Sequence, residues 1–157
     1  EAEIAFRFGR DLPGGAPREL VLAAVASVHL AIEIVESRFA DFRAMDPLSV
    51  LADNISNGAL VLGPELPGWQ GLDLARPPSR VVIDGIEVGR CTTGNTGGDP
   101  IRLLVTLVAH AAARGKPVTS GQIVTTGATT GMHFARPGSL AVADFGPWGR
   151  VETRFLA

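Results

Sequence analysis

The chain opens Glu1-Ala2-Glu3-Ile4-Ala5-Phe6-Arg7-Phe8. In an extended strand, residues two apart point the same way, with their Cα atoms about 6–7 Å apart. Glu1 and Glu3 therefore form a carboxylate pair able to converge on one hard cation. A solvated strand face is the alternative for such a pair. A third acid, Glu33, sits in His29-Leu30-Ala31-Ile32-Glu33-Ile34-Val35, a run apolar enough to read as a buried strand. A carboxylate buried there must be protonated, coordinated or paired, and Arg38 is the ion-pair alternative. Glu36 is a rival ligand that strand parity turns to the opposite face. Taken together, Glu1, Glu3 and Glu33 could form an all-oxygen site for Mg²⁺ or Mn²⁺, with positions left for a chelating ligand.

Other chemistries find little support. His29, His110 and His133 are scattered, without the helical spacing of a zinc site; His110, near a helix end, reads as a partner for backbone carbonyls. Cys91 is the single cysteine, so no internal disulfide forms; it reads as core packing within a strand and suits a reducing cytoplasm. There is no Gly-x-Ser-x-Gly elbow, and Gly94-Asn95-Thr96-Gly97-Gly98 lacks the lysine and spacing of a phosphate-binding loop. A net charge of −2 provides no basic stripe for nucleic acid or an anionic membrane. No apolar run reaches the roughly 18 residues of a membrane span.

The elements that must position the acids can be read from periodicity. Ala2, Ile4, Phe6 and Phe8 share the buried face of the first strand, and Glu1, Glu3, Ala5 and Arg7 share the other. Pro17 opens a helix running to about residue 28, followed by a strand over 29–35. Residues 40–58 read as loop, 59–62 as a short strand and 63–78 as an irregular connection. Strands over 80–83 and 87–92 flank Asp84-Gly85, a hairpin signal. Asp99 caps a helix that starts at Pro100 and ends at Arg114, with Gly115 as its stop. Strands over 122–126, 139–144 and 150–155 complete a mostly β chain with flanking helices, an α+β domain spanning 1–157. The sequence starts without methionine, in the middle of a strand pattern, so a C-terminal portion of a longer chain is expected.

Several segments in order carry a family resemblance. Glu-Ala-Glu-Ile-Ala-Phe, Ala-Ile-Glu-Ile-Val-Glu-Ser-Arg and Ala-Asp-Asn-Ile-Ser-Asn-Gly with its Val-Leu-Gly resemble the 2-keto-4-pentenoate hydratase branch of the fumarylacetoacetate hydrolase superfamily. So do Ser-Gly-Gln-Ile-Val-Thr-Thr-Gly, the Arg-Pro-Gly turn at 136–138 and the terminal Gly-Arg-Val-Glu-Thr-Arg-Phe. The resemblance implies a distorted, mostly antiparallel β-roll or barrel flanked by helices. It assigns Mg²⁺ or Mn²⁺ to Glu1, Glu3 and Glu33. It implies that the ion takes the 2-oxo oxygen and carboxylate of a 2-oxo acid while water adds to a 2-hydroxy-2,4-dienoate, giving a 4-hydroxy-2-oxo acid. Asp53, Asn54 and Ser56 are then expected to contact substrate or water, with helix capping the alternative for Asp53 and Ser56. Thr126 and Gly127 are expected to hold the substrate carboxylate, an ordinary turn being the alternative; Ala128 stands where relatives often have Ser or Thr. The C–C hydrolases of the superfamily usually carry a lysine where this chain has Asp53-Asn54, which favours a hydratase or a 2-oxo-acid decarboxylase. The branch takes its catalytic lysine and an acidic residue from a segment before the Glu-x-Glu strand, and Lys116, the one lysine here, is badly placed to substitute. A cytoplasmic homo-oligomer is expected, and a non-catalytic β-rich metal-binding domain is the reading from a different class.

Overall fold

Alternating apolar side chains produce strand β1 (Ala2–Phe8) in the computed structural model, which describes residues 1–156. The elements that follow are α1 (Arg18–Ala24), β2 (Val25–Val35), α2 (Pro47–Ala52), β3 (Asn57–Glu65), β4 (Arg80–Ile83), β5 (Ile86–Arg90), α3 (Pro100–Ala113), β6 (Ile123–Thr125), β7 (Leu140–Asp144) and β8 (Arg150–Arg154). The strands form two antiparallel four-stranded sheets, ordered β3-β2-β1-β6 and β5-β4-β7-β8. The expected mostly β architecture with flanking helices is therefore present. One hydrophobic cluster joins Ile4, Phe6, Phe8, Val28, Leu30 and Ile32 of the first sheet to Val81, Ala143 and Val151 of the second, with Leu104 and Val108 from α3. Phe6 also meets Trp69 edge to face, with ring centroids 5.9 Å apart.

Several local expectations are corrected. Only Arg7 of β1 is exposed, so the strand is covered on both faces rather than one. It lies between β2 and β6, and the chain leaving β6 folds back along it: Thr129 donates its N–H and hydroxyl to the Ala2 carbonyl (2.9 Å each), and Ala2 N–H donates to the Thr130 hydroxyl (3.3 Å). The first helix stops at Ala24 instead of about residue 28, and β2 begins at the next residue. Val25, Ser27 and Val28 pair with Phe8, Arg7 and Phe6, so the ladder to β1 overrides a local helical tendency that β-branched valine already weakens.

The stretch expected to be loop contains α2. Asp46 caps it by accepting from the N–H groups of Leu48 and Ser49, and Pro47 follows at the first helical position. This is the same Asp-Pro signature that starts α3 at Asp99-Pro100, where the expected cap and the Gly115 stop (φ 71°) are both present. β3 is longer than the expected 59–62. Asp84 and Gly85 both have positive φ (50° and 82°), as the expected tight hairpin between β4 and β5 requires. Cys91 lies just beyond β5 and is partly exposed, outside the core expected for it. Among the described residues no helix is long and apolar enough to cross a membrane.

Gly63 lies where β3 meets β8. A Cβ built there would sit 2.6 Å from Val151 Cβ and 3.1 Å from the Leu30 carbonyl oxygen. Gly63→Ala is expected to destabilise the fold by about 1–3 kcal/mol through overpacking, as measured by chemical denaturation.

Candidate metal centre

The three acids meet because of the β1–β2 register. Ala2 opposes Ile32 and Glu3 opposes Ala31. The ladder continues one residue further: Glu1 N–H donates to the Glu33 carbonyl and Glu33 N–H to the Glu1 carbonyl, each at 3.0 Å. Directly opposed residues exchanging both bonds place their side chains on one face, and Glu3 joins that face two positions along. Glu1, Glu3 and Glu33 each offer a carboxylate oxygen, and these oxygens all lie within 4.8 Å of one another.

Neutral groups hold these carboxylates. Gly127 N–H donates to Glu3 Oε2 (3.0 Å), and the Asn57 amide donates to Glu33 Oε1 (2.8 Å). The described ion pairs lie elsewhere, at Arg38–Asp53, Arg80–Glu87, Arg80–Asp144 and Arg90–Glu87. Arg38 is thus taken by Asp53, and the ion-pair alternative for Glu33 is not what forms. Glu33 is also only partly buried, because at the end of β2 its side chain faces a cleft instead of the core. Glu3 is the buried member, 2% exposed. Burial pushes its carboxyl up to about 7, with the neighbouring Glu33 adding to the rise and the Gly127 N–H opposing it. Burial raises the Glu1 carboxyl as well, with the neighbouring Glu33 adding to the rise. Convergent carboxylate oxygens with like charges and no cationic side chain in ion-pair contact are a donor set suited to a hard divalent ion.

A cleft of about 720 Å³ opens over the acids. Thr96, Thr125, Gly127 and Gly131 line part of it, together with Asn54 and Ser56; Val35, Phe42, Val50, Ile55 and Met132 add an apolar lining. Asn54, Ser56 and Gly127 thus line the same cleft as the acids. Asp53 and Thr126 are not among the lining residues. Asp53 is buried and committed: it accepts from the Ser37 hydroxyl (2.7 Å), from Arg38 N–H (3.2 Å) and from the Arg38 guanidinium. The Ser37 hydrogen bond, followed by those from Arg38, holds its carboxyl below the usual range despite burial. Thr126 lies beyond the end of β6 and lines a separate cleft with Leu103, Leu107 and His110 of α3, and its buried hydroxyl has no hydrogen-bond partner among the described residues. Strand alternation gives the cleft to Thr125 instead. The Gly127 N–H, expected for a substrate carboxylate, is spent on Glu3.

The sequence reading missed Asn57, although it lies in the quoted Ala-Asp-Asn-Ile-Ser-Asn-Gly segment, and it missed the apolar lining. It could not see the backbone of Asn54, Ile55 and Ser56, which occupy three successive left-handed conformations (φ 55°, 52° and 58°). For residues other than glycine each such conformation costs on the order of 1 kcal/mol, more for a β-branched side chain. Both ends of this run are pinned. Ser56 N–H donates to the Asp53 carbonyl (3.1 Å) and Glu36 N–H to the Ser56 carbonyl (2.7 Å), while Arg38 donates to the carbonyls of Asp53 and Asn57.

Comparison with known proteins agrees with this architecture. Residues 1–156 match the family described as fumarylacetoacetate (FAA) hydrolase C-terminal, and the chain belongs to that family. It is 35% identical to a 2-keto-4-pentenoate hydratase of Paraburkholderia xenovorans over 156 residues, 99% of this chain and 58% of that protein. It is 34% identical to a 4-oxalocrotonate decarboxylase of a Pseudomonas species over 140 residues, 88% of this chain and 53% of that one. The solved structure of 4-oxalocrotonate decarboxylase from Pseudomonas putida G7, complexed with magnesium and adipate, superposes with a TM-score of 0.84 at 28% identity, covering 99% of this chain and 59% of that one. The chain thus spans little more than half the length of these relatives.

The raised Glu3 carboxyl has a stability consequence with a definite sign. Its folded value lies above its ordinary 4.5, so between these pH values the folded chain holds a proton that the unfolded chain releases. Stability from this group is therefore complete below about pH 4.5 and lost as pH rises through about 7. Thermal unfolding in EDTA is expected to shift to lower temperature from pH 5 to pH 8. Glu3→Gln should flatten that slope, and millimolar Mg²⁺ should remove it for the unsubstituted chain.

Proposed function

We propose that this chain builds the divalent-metal and substrate site of a hydratase that adds water to a 2-hydroxy-2,4-dienoate through its 2-oxo tautomer, giving a 4-hydroxy-2-oxo acid. The observation that carries this reading is the convergence of Glu1, Glu3 and Glu33 at one cleft, in a chain 35% identical to a 2-keto-4-pentenoate hydratase. The three glutamates are the residues to hold Mg²⁺ or Mn²⁺, which supplies Lewis-acid stabilisation of the charge that develops on the 2-oxo oxygen as the diene changes tautomer.

The other groups have positioning tasks. Gly127 N–H orients the buried Glu3 carboxylate, and the Asn57 amide orients Glu33. Thr96 and Thr125 line the cleft and carry hydroxyls to offer a substrate carboxylate, and Asn54 and Ser56, which also line it, are the groups to orient an attacking water. In this reading Asp53 holds the segment that presents them and does not itself meet substrate. Homo-oligomer formation belongs to the same proposal; the exposed Ile86 and Phe134 side chains are apolar surface for it to cover.

A decarboxylase acting on a 2-oxo diacid is the second reading. The 0.84 TM-score to a 4-oxalocrotonate decarboxylase supports it, and the same three acids serve either reaction.

The test uses the intact protein with 2-hydroxypenta-2,4-dienoate. Loss of the diene absorbance with appearance of the hydroxy-oxo acid is expected, abolished by EDTA and restored by Mg²⁺ or Mn²⁺. Activity indifferent to EDTA would contradict the proposal, and CO₂ release from 4-oxalocrotonate with the dienoate untouched would move it to the decarboxylase. Asn57→Ala is expected to weaken Mn²⁺ binding about 10-fold, the usual size for removing a group that orients a ligand, as read by electron paramagnetic resonance titration.

A further inference from the structure

Ile55 has a backbone that a β-branched residue avoids and a side chain that the fold does not use. Its φ and ψ are 52° and 41°, between two residues that are also left-handed. The side chain is 67% exposed, so core burial does not offset the unfavourable conformation. The hydrogen bonds at Asp53, Ser56 and Asn57 keep the run in place while its apolar side chain lines the cleft that holds the three acids. Strain maintained in this way collects at functional positions. Val35, Phe42, Val50 and Met132 line the same cleft, so Ile55 completes an apolar wall whose members, apart from Ile55, are partly buried.

We infer that Ile55 is a specificity-determining residue: with this wall it receives the hydrocarbon end of a 2-oxo or 2-hydroxydienoic acid whose oxygens lie at Glu1, Glu3 and Glu33. The inference rests on the function proposed above and narrows it to monocarboxylates with an apolar far end. Removing a methylene from water favours binding by about 4-fold. A chain lengthened by three carbons that partly reaches the wall gains about 10-fold, whereas a second carboxylate at that end is penalised by desolvation beside aliphatic side chains.

The probes are pyruvate, 2-oxohexanoate and 2-oxoadipate, titrated calorimetrically into Mn²⁺-loaded intact protein. The unsubstituted protein is expected to bind 2-oxohexanoate about 10-fold more tightly than pyruvate and more tightly than 2-oxoadipate. Ile55→Gly should reduce the first ratio to about 3-fold or less, leave Mn²⁺ affinity unchanged, and raise the melting temperature by a few degrees, because glycine takes a positive φ without steric cost. Ile55→Asn, also tolerant of that conformation, should lose the preference in the same way. An unchanged preference in both variants overturns the role of Ile55 while leaving the metal site standing. So does tighter binding of 2-oxoadipate by the unsubstituted protein. A lower melting temperature for Ile55→Gly overturns the strain argument. Failure of the protein to take up Mn²⁺ brings down the functional reading itself, and this inference with it.

Discussion

Two backbone hydrogen bonds between Glu1 and Glu33 set the terms for the rest of the molecule. They fix which side chains of β1 and β2 share a face, so they bring like-charged groups together at separations that water alone screens poorly once Glu3 is buried. A one-residue slip in this register would send the acids into the apolar cluster and turn Ile4 and Phe6 towards the cleft. The apolar alternation of β1 therefore does two jobs: it drives the sheet into the core, and it guarantees that Glu1 and Glu3 emerge together on the other side.

Around this pair of strands the fold supplies neutral dipoles. An amide from Gly127 and another from Asn57 hold two of the three acids without cancelling their charge. An arginine in either place would satisfy the acids and leave no electrostatic demand for an ion. Arg38 is the arginine nearest to Glu33 in sequence, and the burial of Asp53 beside Ser37 draws it away. The clamp that rigidifies one wall of the cleft thus also leaves Glu33 without an arginine partner among the described residues.

Much of this was legible in the residues. The period-two pattern of 2–8, the Asp-Pro and Gly boundaries of α3, and the Asp84-Gly85 hairpin are local signals that the structure repeats, because each is decided by contacts within a few residues. Within the acid triad, strand geometry alone aligns Glu1 with Glu3; Glu33 joins them only across the β1–β2 ladder and is singled out by its apolar neighbours and the family resemblance. The misses have tertiary causes. Residues 25–28 read as the end of the first helix but pair with β1, which sequence separation hides. Glu33 looked buried because its neighbours are apolar, yet its strand end opens on a cleft. Thr125 replaces Thr126 in the cleft because strand alternation, and not the motif, decides which threonine faces the acids. The left-handed run at 54–56 has only a weak propensity signal: Asn54 tolerates that conformation, but nothing about Ile55 invites it.

The strands that carry the acids are close in the chain, whereas the groups that complete their surroundings are not. Glu3 receives its amide from Gly127, and Ala2 is tied to Thr129 and Thr130. A chain in the act of folding can therefore form the acid-bearing hairpin early, but the groove above it exists only after a loop of more than a hundred residues has closed. Until then the carboxylates have no shaped space over them. Selectivity for a guest molecule is in this sense the last property the polypeptide acquires.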